Sequence, residues 1–93
     1  PGIKINLPKA VTSEAIQSDT IEILVSSENV TYLNGRVVTI KELQRTLAQM
    51  AKKNQTVLIK ADTRASLGRV VEIWDMCRDS GIQKINIATN QEQ

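Results

Sequence analysis

The side chains best suited to chemistry lie in one loop, "ADTRASLG", which follows an apolar run in the middle of the chain. Asp62, Thr63, Arg64 and Ser66 give it a carboxylate, a guanidinium and two hydroxyls, at the end of a predicted strand where ligands often bind. A phosphate-binding loop needs several glycines and a lysine at a fixed spacing, and one carboxylate binds Mg²⁺ or Ca²⁺ poorly. We therefore favour a structural role, in which Asp62 turns the backbone and Ser66 caps the next helix.

The other reactive side chains do not form a catalytic set. The following segment places Glu72, Asp75 and Asp79 on the polar side of a predicted helix. Arg69 and Arg78 lie three residues from Glu72 and Asp75, which indicates a salt-linked surface. The chain has one cysteine, Cys77, and no histidine. This composition excludes a four-ligand zinc site, a Cys-x-x-Cys redox pair and a Cys–His or Ser–His nucleophile. We predict no enzyme activity, no cofactor and no metal.

Composition is that of one small domain. The chain has 93 residues, of which 41% are hydrophobic and 24% charged, enough for a single core. No run of 18 or more apolar residues and no signal-peptide pattern is present. The opening "PGIKINLPKA" lacks an initial methionine, which leaves room for an anchor or targeting segment upstream.

Charge argues against a nucleic-acid partner. The formal net charge is only +2, and the basic residues are scattered over two predicted helices. Nucleic-acid binding needs a clustered basic face, often with aromatic side chains for stacking. Tyr32 and Trp74 are the only aromatic residues, and Trp74 lies among apolar neighbours.

Hydrophobic periodicity predicts the elements in order. "TIEILVSS" alternates with Ile21, Ile23 and Val25 on one face, and Asn34-Gly35 between two β-prone runs predicts a hairpin with a type I′ turn. Thr39 and Glu42 match a capping box that opens an amphipathic helix over 40–53. "TVLIKA" predicts a strand buried on both faces, a helix follows at about 66–79, and "IQKINIA" returns as the last strand after Gly81.

This order, β-β-β-α-β-α-β, predicts an α+β (mixed α/β) fold. We expect one domain over 20–90, with a mixed sheet of about five strands and both helices packed on one face. The last strand–helix–strand unit should cross over right-handed between parallel strands. Residues 1–19 form a flexible N-terminal arm and linker, in which "IKINL" is a short extended segment stopped by Pro8.

Two sets of apolar residues are candidates for partner or dimer contact. The alternating Ile3, Ile5 and Leu7 are expected to add to an exposed sheet edge, for example of a second protomer, and a partner peptide could use the same edge. In the second helix the main stripe is predicted to be Leu67, Val70, Val71, Trp74 and Cys77. Ile73 and Met76 lie beside it and contact either the first helix, which is favoured, or another protein.

With these residues in view, "VLIKADTRASLGRVVEIWDMCRDSGIQKINIAT" is similar to the C-terminal signature of the ExbD/TolR biopolymer-transport family. The matching features are a strand ending in Ala-Asp, a helix with paired valines and an aspartate, and a Gly-Ile turn, at Ala61-Asp62, Val70-Val71, Asp75 and Gly81-Ile82. "INLPKA" resembles the segment that follows the family's membrane anchor, and "NVTYLNGRVVTIKELQRTL" its hairpin and first helix. Trp74 and Cys77 are not part of that pattern.

The resemblance implies a periplasmic domain of an inner-membrane protein with one N-terminal membrane helix. Such proteins work with ExbB/TolQ-type channel subunits and use the proton-motive force to drive a partner such as TonB or TolA, or contact peptidoglycan in TolR-like members. The family's proton-responsive aspartate lies in the membrane helix, so neither Asp62 nor Asp75 is assigned that role. The rival interpretations are a small ligand- or phosphate-binding module centred on 62–66 and a scaffold domain without energy coupling.

Overall fold

A computed structural model describes residues 20–51 and 55–90, and all structural statements below refer to that part of the chain. It contains β1 (Thr20–Val25), β2 (Thr31–Leu33), β3 (Arg36–Val38), α1 (Ile40–Met50), β4 (Thr56–Ala61), α2 (Leu67–Asp79) and β5 (Lys84–Thr89). The predicted order of elements and the α+β class are confirmed. The expected N-terminal arm over 1–19 lies outside the described residues.

The strands form one five-stranded sheet in the order β3-β2-β1-β4-β5. β1 pairs antiparallel with β2, and β2 with β3, whereas β1–β4 and β4–β5 are parallel. The sheet is therefore mixed, as predicted, and α2 connects two adjacent parallel strands. Neither described helix has the length and apolar character that crossing a bilayer requires.

The hairpin between β2 and β3 turns at Asn34 and Gly35, whose φ angles of 49° and 88° are both positive. Two positive φ angles are the requirement of a type I′ turn, so the predicted hairpin is confirmed. Asn34 also fixes the hairpin to β1. The Glu22 N–H donates to Asn34 Oδ1 at 2.9 Å, and the Asn34 N–H donates to the Glu22 carbonyl at 2.8 Å.

The capping box at the start of α1 is present with both hydrogen bonds. The Glu42 N–H donates to Thr39 Oγ1 at 3.1 Å, and the Thr39 N–H donates to Glu42 Oε1 at 2.8 Å. The hydrogen bond from the Thr39 backbone lowers the pKa of the Glu42 carboxyl, because the charged form is the better acceptor. α1 ends at Met50, before the predicted 53, since Ala51 has extended backbone angles.

Both helices pack on the same face of the sheet, as predicted. The core of that face is built mainly from inward-facing strand residues and one stripe from each helix. These include Ile21, Ile23, Val25, Val57 and Ile59 with Leu43, Leu47, Val70, Ile73 and Cys77. On the opposite face of β4, Leu58 is also fully buried. β4 is therefore buried on both faces, which confirms the prediction made from its continuous apolar run.

The orientation of α2 corrects the predicted stripe. Val70, Ile73 and Cys77 are the buried positions, whereas Leu67, Val71 and Trp74 are 77%, 42% and 42% exposed. Both sets have helical spacing, because the helix contains more apolar residues than one face can bury. Packing against the sheet selects the set that includes Ile73, and this places the Trp74 side of the helix at the surface.

Substitution of the adjacent residues Ile73 and Trp74 tests this orientation. Ile73→Ala is expected to lower the free energy of unfolding by about 2–5 kcal/mol, because it leaves a cavity in the core. Trp74→Ala is expected to cost less than Ile73→Ala, because the ring is already 42% exposed and its removal leaves no closed cavity. Urea unfolding measures both values, and a larger loss for Trp74→Ala than for Ile73→Ala would contradict the orientation described.

A matched pair of glycine substitutions tests the end of α2. Gly81 has a φ of +92°, so Gly81→Ala is expected to lower the free energy of unfolding by about 1–2 kcal/mol through backbone strain. Gly68 lies in the first turn of α2, where a Cβ would meet only Ser66 Oγ at 3.5 Å. Gly68→Ala should leave stability unchanged or raise it by up to about 1 kcal/mol. Equal effects of the two changes in urea unfolding would refute the positive-φ requirement at Gly81.

Candidate interaction surface

The loop after β4 has the structural role favoured from sequence. The Arg64 N–H donates to Asp62 Oδ1 at 2.8 Å, and the Ala65 N–H donates to the Asp62 carbonyl at 2.8 Å. Ser66 is the N-cap of α2, where its Oγ accepts from the Arg69 N–H at 3.3 Å. Asp62 therefore shapes the turn and Ser66 caps the helix, as predicted.

Two asparagines bind this loop from neighbouring segments. The Ser66 N–H donates to Asn29 Oδ1 at 2.7 Å, and the Thr63 N–H donates to Asn90 Oδ1 at 2.8 Å. The backbone donors of residues 63, 64 and 66, which a bound phosphate would need, already have acceptors within the protein. In the described parts of the chain no group of three or more His, Cys, Asp or Glu residues could hold a metal ion.

Sequence reasoning missed both asparagines. Asn29 has a φ of 64°, and a non-glycine residue in that region is typical of asparagine in a tight turn. The sequence signal was "SSEN", a polar cluster between two strands, which indicates a turn but not its partner. The loop is thus a junction between strand ends.

Cys77 is fully buried in the core, and burial raises the pKa of its thiol to about 11. The thiol is therefore neutral at physiological pH and is shielded from oxidants and metals. Its role is to fill space between α2 and the sheet.

The charged residues of α2 form the exposed, salt-linked face predicted from their spacing. Arg69 Nη1 lies 3.4 Å from Glu72 Oε1, and Arg78 Nη2 lies 3.9 Å from Asp75 Oδ1. Such exposed pairs each contribute no more than about 1 kcal/mol to stability. These charged side chains form the water-facing side of the helix, and they are not arranged as a pair for acid–base catalysis.

The surface with the clearest capacity for binding lies along β5. Within the described residues this strand pairs only with β4, so it forms one edge of the sheet. Ile85 is half-buried and Ile87 is 45% exposed on the same side of the strand. Trp74 and Ile85 line a groove of about 500 Å³ between α2 and the strand. We call this region the β5–α2 surface; its residues are Leu67, Val71, Trp74, Ile85 and Ile87.

Backbone and side chains of this surface favour the same kind of ligand. An edge strand presents unpaired N–H and C=O groups that another strand can bond. The exposed side chains beside it are large and apolar, and such residues in contiguous patches typically mark protein contacts. The geometry therefore fits an added strand or polypeptide better than a small polar molecule.

The residues that the sequence analysis proposed as partner contacts have different outcomes in the structure. Ile73 is fully buried in the core, which corrects its tentative assignment as a contact residue, since it has no surface to offer a partner. Met76 is partly buried against the same core, and contact between Met76 and a partner remains a prediction. Ile3, Ile5 and Leu7 lie outside the described residues. The exposed apolar residues of α2 are instead Leu67, Val71 and Trp74.

Comparison with known proteins agrees with the sequence resemblance. Residues 1–92 match the model of the family described as Biopolymer transport protein ExbD/TolR. The chain is 28% identical over 92 residues to the Biopolymer transport protein ExbD of Haemophilus ducreyi, covering 97% of this chain and 70% of that protein. It is 29% identical over 91 residues to the ExbD protein of Aquifex aeolicus, covering 97% of this chain and 68% of that protein. The chain therefore belongs to the ExbD/TolR family of biopolymer transport proteins.

Proposed function

We propose that this domain is the non-enzymatic coupling part of a proton-motive-force energy-transduction protein. In this proposal it connects an ExbB/TolQ-type channel subunit to a TonB/TolA-type partner, for transport across the outer membrane or its maintenance. Membership of the ExbD/TolR family supports the transport role. The β5–α2 surface supports a role in protein contact and is the observation that carries the proposal.

The proposal includes a location. The full-length protein is anchored in the inner membrane by one N-terminal helix, and residues 20–90 form its periplasmic domain. Proton chemistry belongs to an aspartate of that helix.

A homodimer is part of the proposal. The alternating segment Ile3–Leu7 of one protomer would add to the β5 edge of the other, with apolar side chains against the β5–α2 surface. A TonB/TolA-type segment would use the same edge by β-augmentation, and peptidoglycan is a further ligand if the protein is TolR-like. The phosphate-binding alternative at 62–66 has less support, because the loop's donors are occupied by Asp62, Asn29 and Asn90.

Deletion of residues 1–9 tests strand exchange. If Ile3–Leu7 joins two protomers, the deleted chain should sediment as a monomer at concentrations where the parent chain is a dimer. The circular dichroism spectrum should be retained, because the core lies within residues 20–90. An unchanged mass in solution would count against exchange.

Titration with a TonB/TolA-type periplasmic peptide, followed by amide chemical shifts, tests partner binding. Shifts are expected along β5 and the exposed side of α2, and Trp74→Ala should weaken binding about tenfold or more, since buried aromatic anchors dominate such interfaces. The control is Gln44→Ala, which truncates an exposed, uncharged residue of α1 outside the β5–α2 surface. Shifts confined to 62–66 with a small phosphorylated ligand, and none with peptide or peptidoglycan, would reverse the assignment.

A further inference from the structure

A second groove lies at the opposite edge of the sheet, between β3 and α1. Its volume is about 590 Å³, and residues of both elements line it. Apolar side chains in its lining are Leu33, Val37, Val38 and Met50, of which Val38 and Met50 pack partly against the core. The groove thus has an apolar part next to the core and opens beside an edge strand.

Two arginines line this groove, Arg36 from β3 and Arg45 from α1. The ion pairs found among the described residues use Lys60, Arg69 and Arg78, so neither groove arginine has a carboxylate at ion-pair distance there. Both side chains are exposed. The groove therefore presents two guanidinium groups able to bind a carboxylate in the bidentate geometry that arginine favours.

The carboxylate that lies beside Arg36 and Arg45 in the groove is hydrogen-bonded to a backbone N–H. Glu42 lines the same groove, and its Oε1 accepts the Thr39 N–H of the capping box at 2.8 Å. It lies close enough to both arginines to feel their charge. Glu42 therefore neutralises only part of the positive charge, and two arginines against one glutamate leave the groove cationic.

The backbone of β3 offers hydrogen-bonding groups that would align an extended segment with the strand. Leu33 and Arg36 flank the two-residue turn and form a hydrogen-bonded pair of the hairpin. Because hydrogen-bonded and non-hydrogen-bonded pairs alternate along an antiparallel ladder, the next pair, Tyr32–Val37, is not hydrogen-bonded. The N–H and C=O of Val37 then point away from β2, to the side where no described strand pairs. An extended segment placed there finds a backbone donor and acceptor beside the groove.

We propose that the β3–α1 groove binds an extended, acidic segment of a partner protein. Its alternate side chains would enter the groove, with carboxylates on Arg36 and Arg45 and apolar groups on Val38 and Met50. A polypeptide fits better than a phosphate or polyanion, because the groove is partly apolar and already contains the carboxylate of Glu42. The site lies at the edge of the sheet opposite the β5–α2 surface and does not depend on the function proposed for that surface.

The test uses a short peptide of alternating Val and Glu, titrated at low salt and followed by amide chemical shifts. Arg36→Glu and Arg45→Glu should each weaken binding about tenfold. The matched control is Arg64→Glu, which makes the same change of net charge at an exposed position in the loop after β4. It should change affinity less than about twofold. Equal weakening by all three variants would show nonspecific charge attraction and overturn the proposal.

A variant that strengthens binding provides a second, independent test. Glu42→Gln keeps a side-chain oxygen to accept the Thr39 N–H but removes the charge that competes for the arginines. It should tighten binding of the Val/Glu peptide by about two- to fivefold while retaining the circular dichroism spectrum, with only a slight loss of thermal stability because the charged form of Glu42 is the better acceptor in the capping box. Binding that is unchanged or weaker in this folded variant would contradict the proposal.

Two further measurements test whether the β3–α1 groove binds an acidic segment. A Val/Lys peptide should not bind, and the Val/Glu peptide should shift amides of β3 and α1. Shifts located on β5 and α2, or equal affinity for both peptides, would refute this groove as an acidic-segment site. Because the two surfaces lie on different strands, failure here is distinguishable from failure of the β5–α2 proposal.

Discussion

Burial of β4 on both faces is the constraint on which the rest of the domain depends. Val57, Leu58 and Ile59 are each completely buried, and the strand pairs in parallel with β1 on one side and β5 on the other. Full burial of side chains of this size contributes about 1.5–3 kcal/mol each. The strand's charged residue is also accommodated, since Lys60 Nζ lies 2.9 Å from Glu22 Oε2. α2 and both neighbouring strands are positioned by this one segment.

The parallel arrangement also explains why the loop richest in polar side chains is not reactive. Three parallel strands end close together, and their backbone groups need partners. The protein supplies them internally: the Asp62 N–H donates to the Val25 carbonyl, Asn29 binds Ser66, and Asn90 binds Thr63. In residues 20–51 and 55–90, backbone groups available to another strand lie at the two sheet edges, β3 and β5.

Local signals in the sequence were sufficient for most of the fold. Asn34-Gly35, the Thr39–Glu42 box and the buried run of β4 each predict their element through short-range geometry or continuous hydrophobicity. The rotation of α2 was not predictable in the same way. Residues 70, 73 and 77 and residues 67, 71 and 74 are both helical stripes, and only packing against the sheet distinguishes them. For the same reason the sequence included Trp74 in the main buried stripe and set Ile73 beside it, with contact to the first helix favoured over contact with a partner.

The direction of the strands determines how the domain responds to mechanical load. Thr20, Thr56 and Lys84 are in register at one end of the parallel ladder, and Val25, Ala61 and Thr89 at the other. Tension applied between Thr20 and Thr89 therefore acts along the strands. It must shear the hydrogen bonds of each ladder together, whereas a pull across the strands would break them one after another. The ladder from β1 to β5 therefore resists tension along its strands better than tension across them.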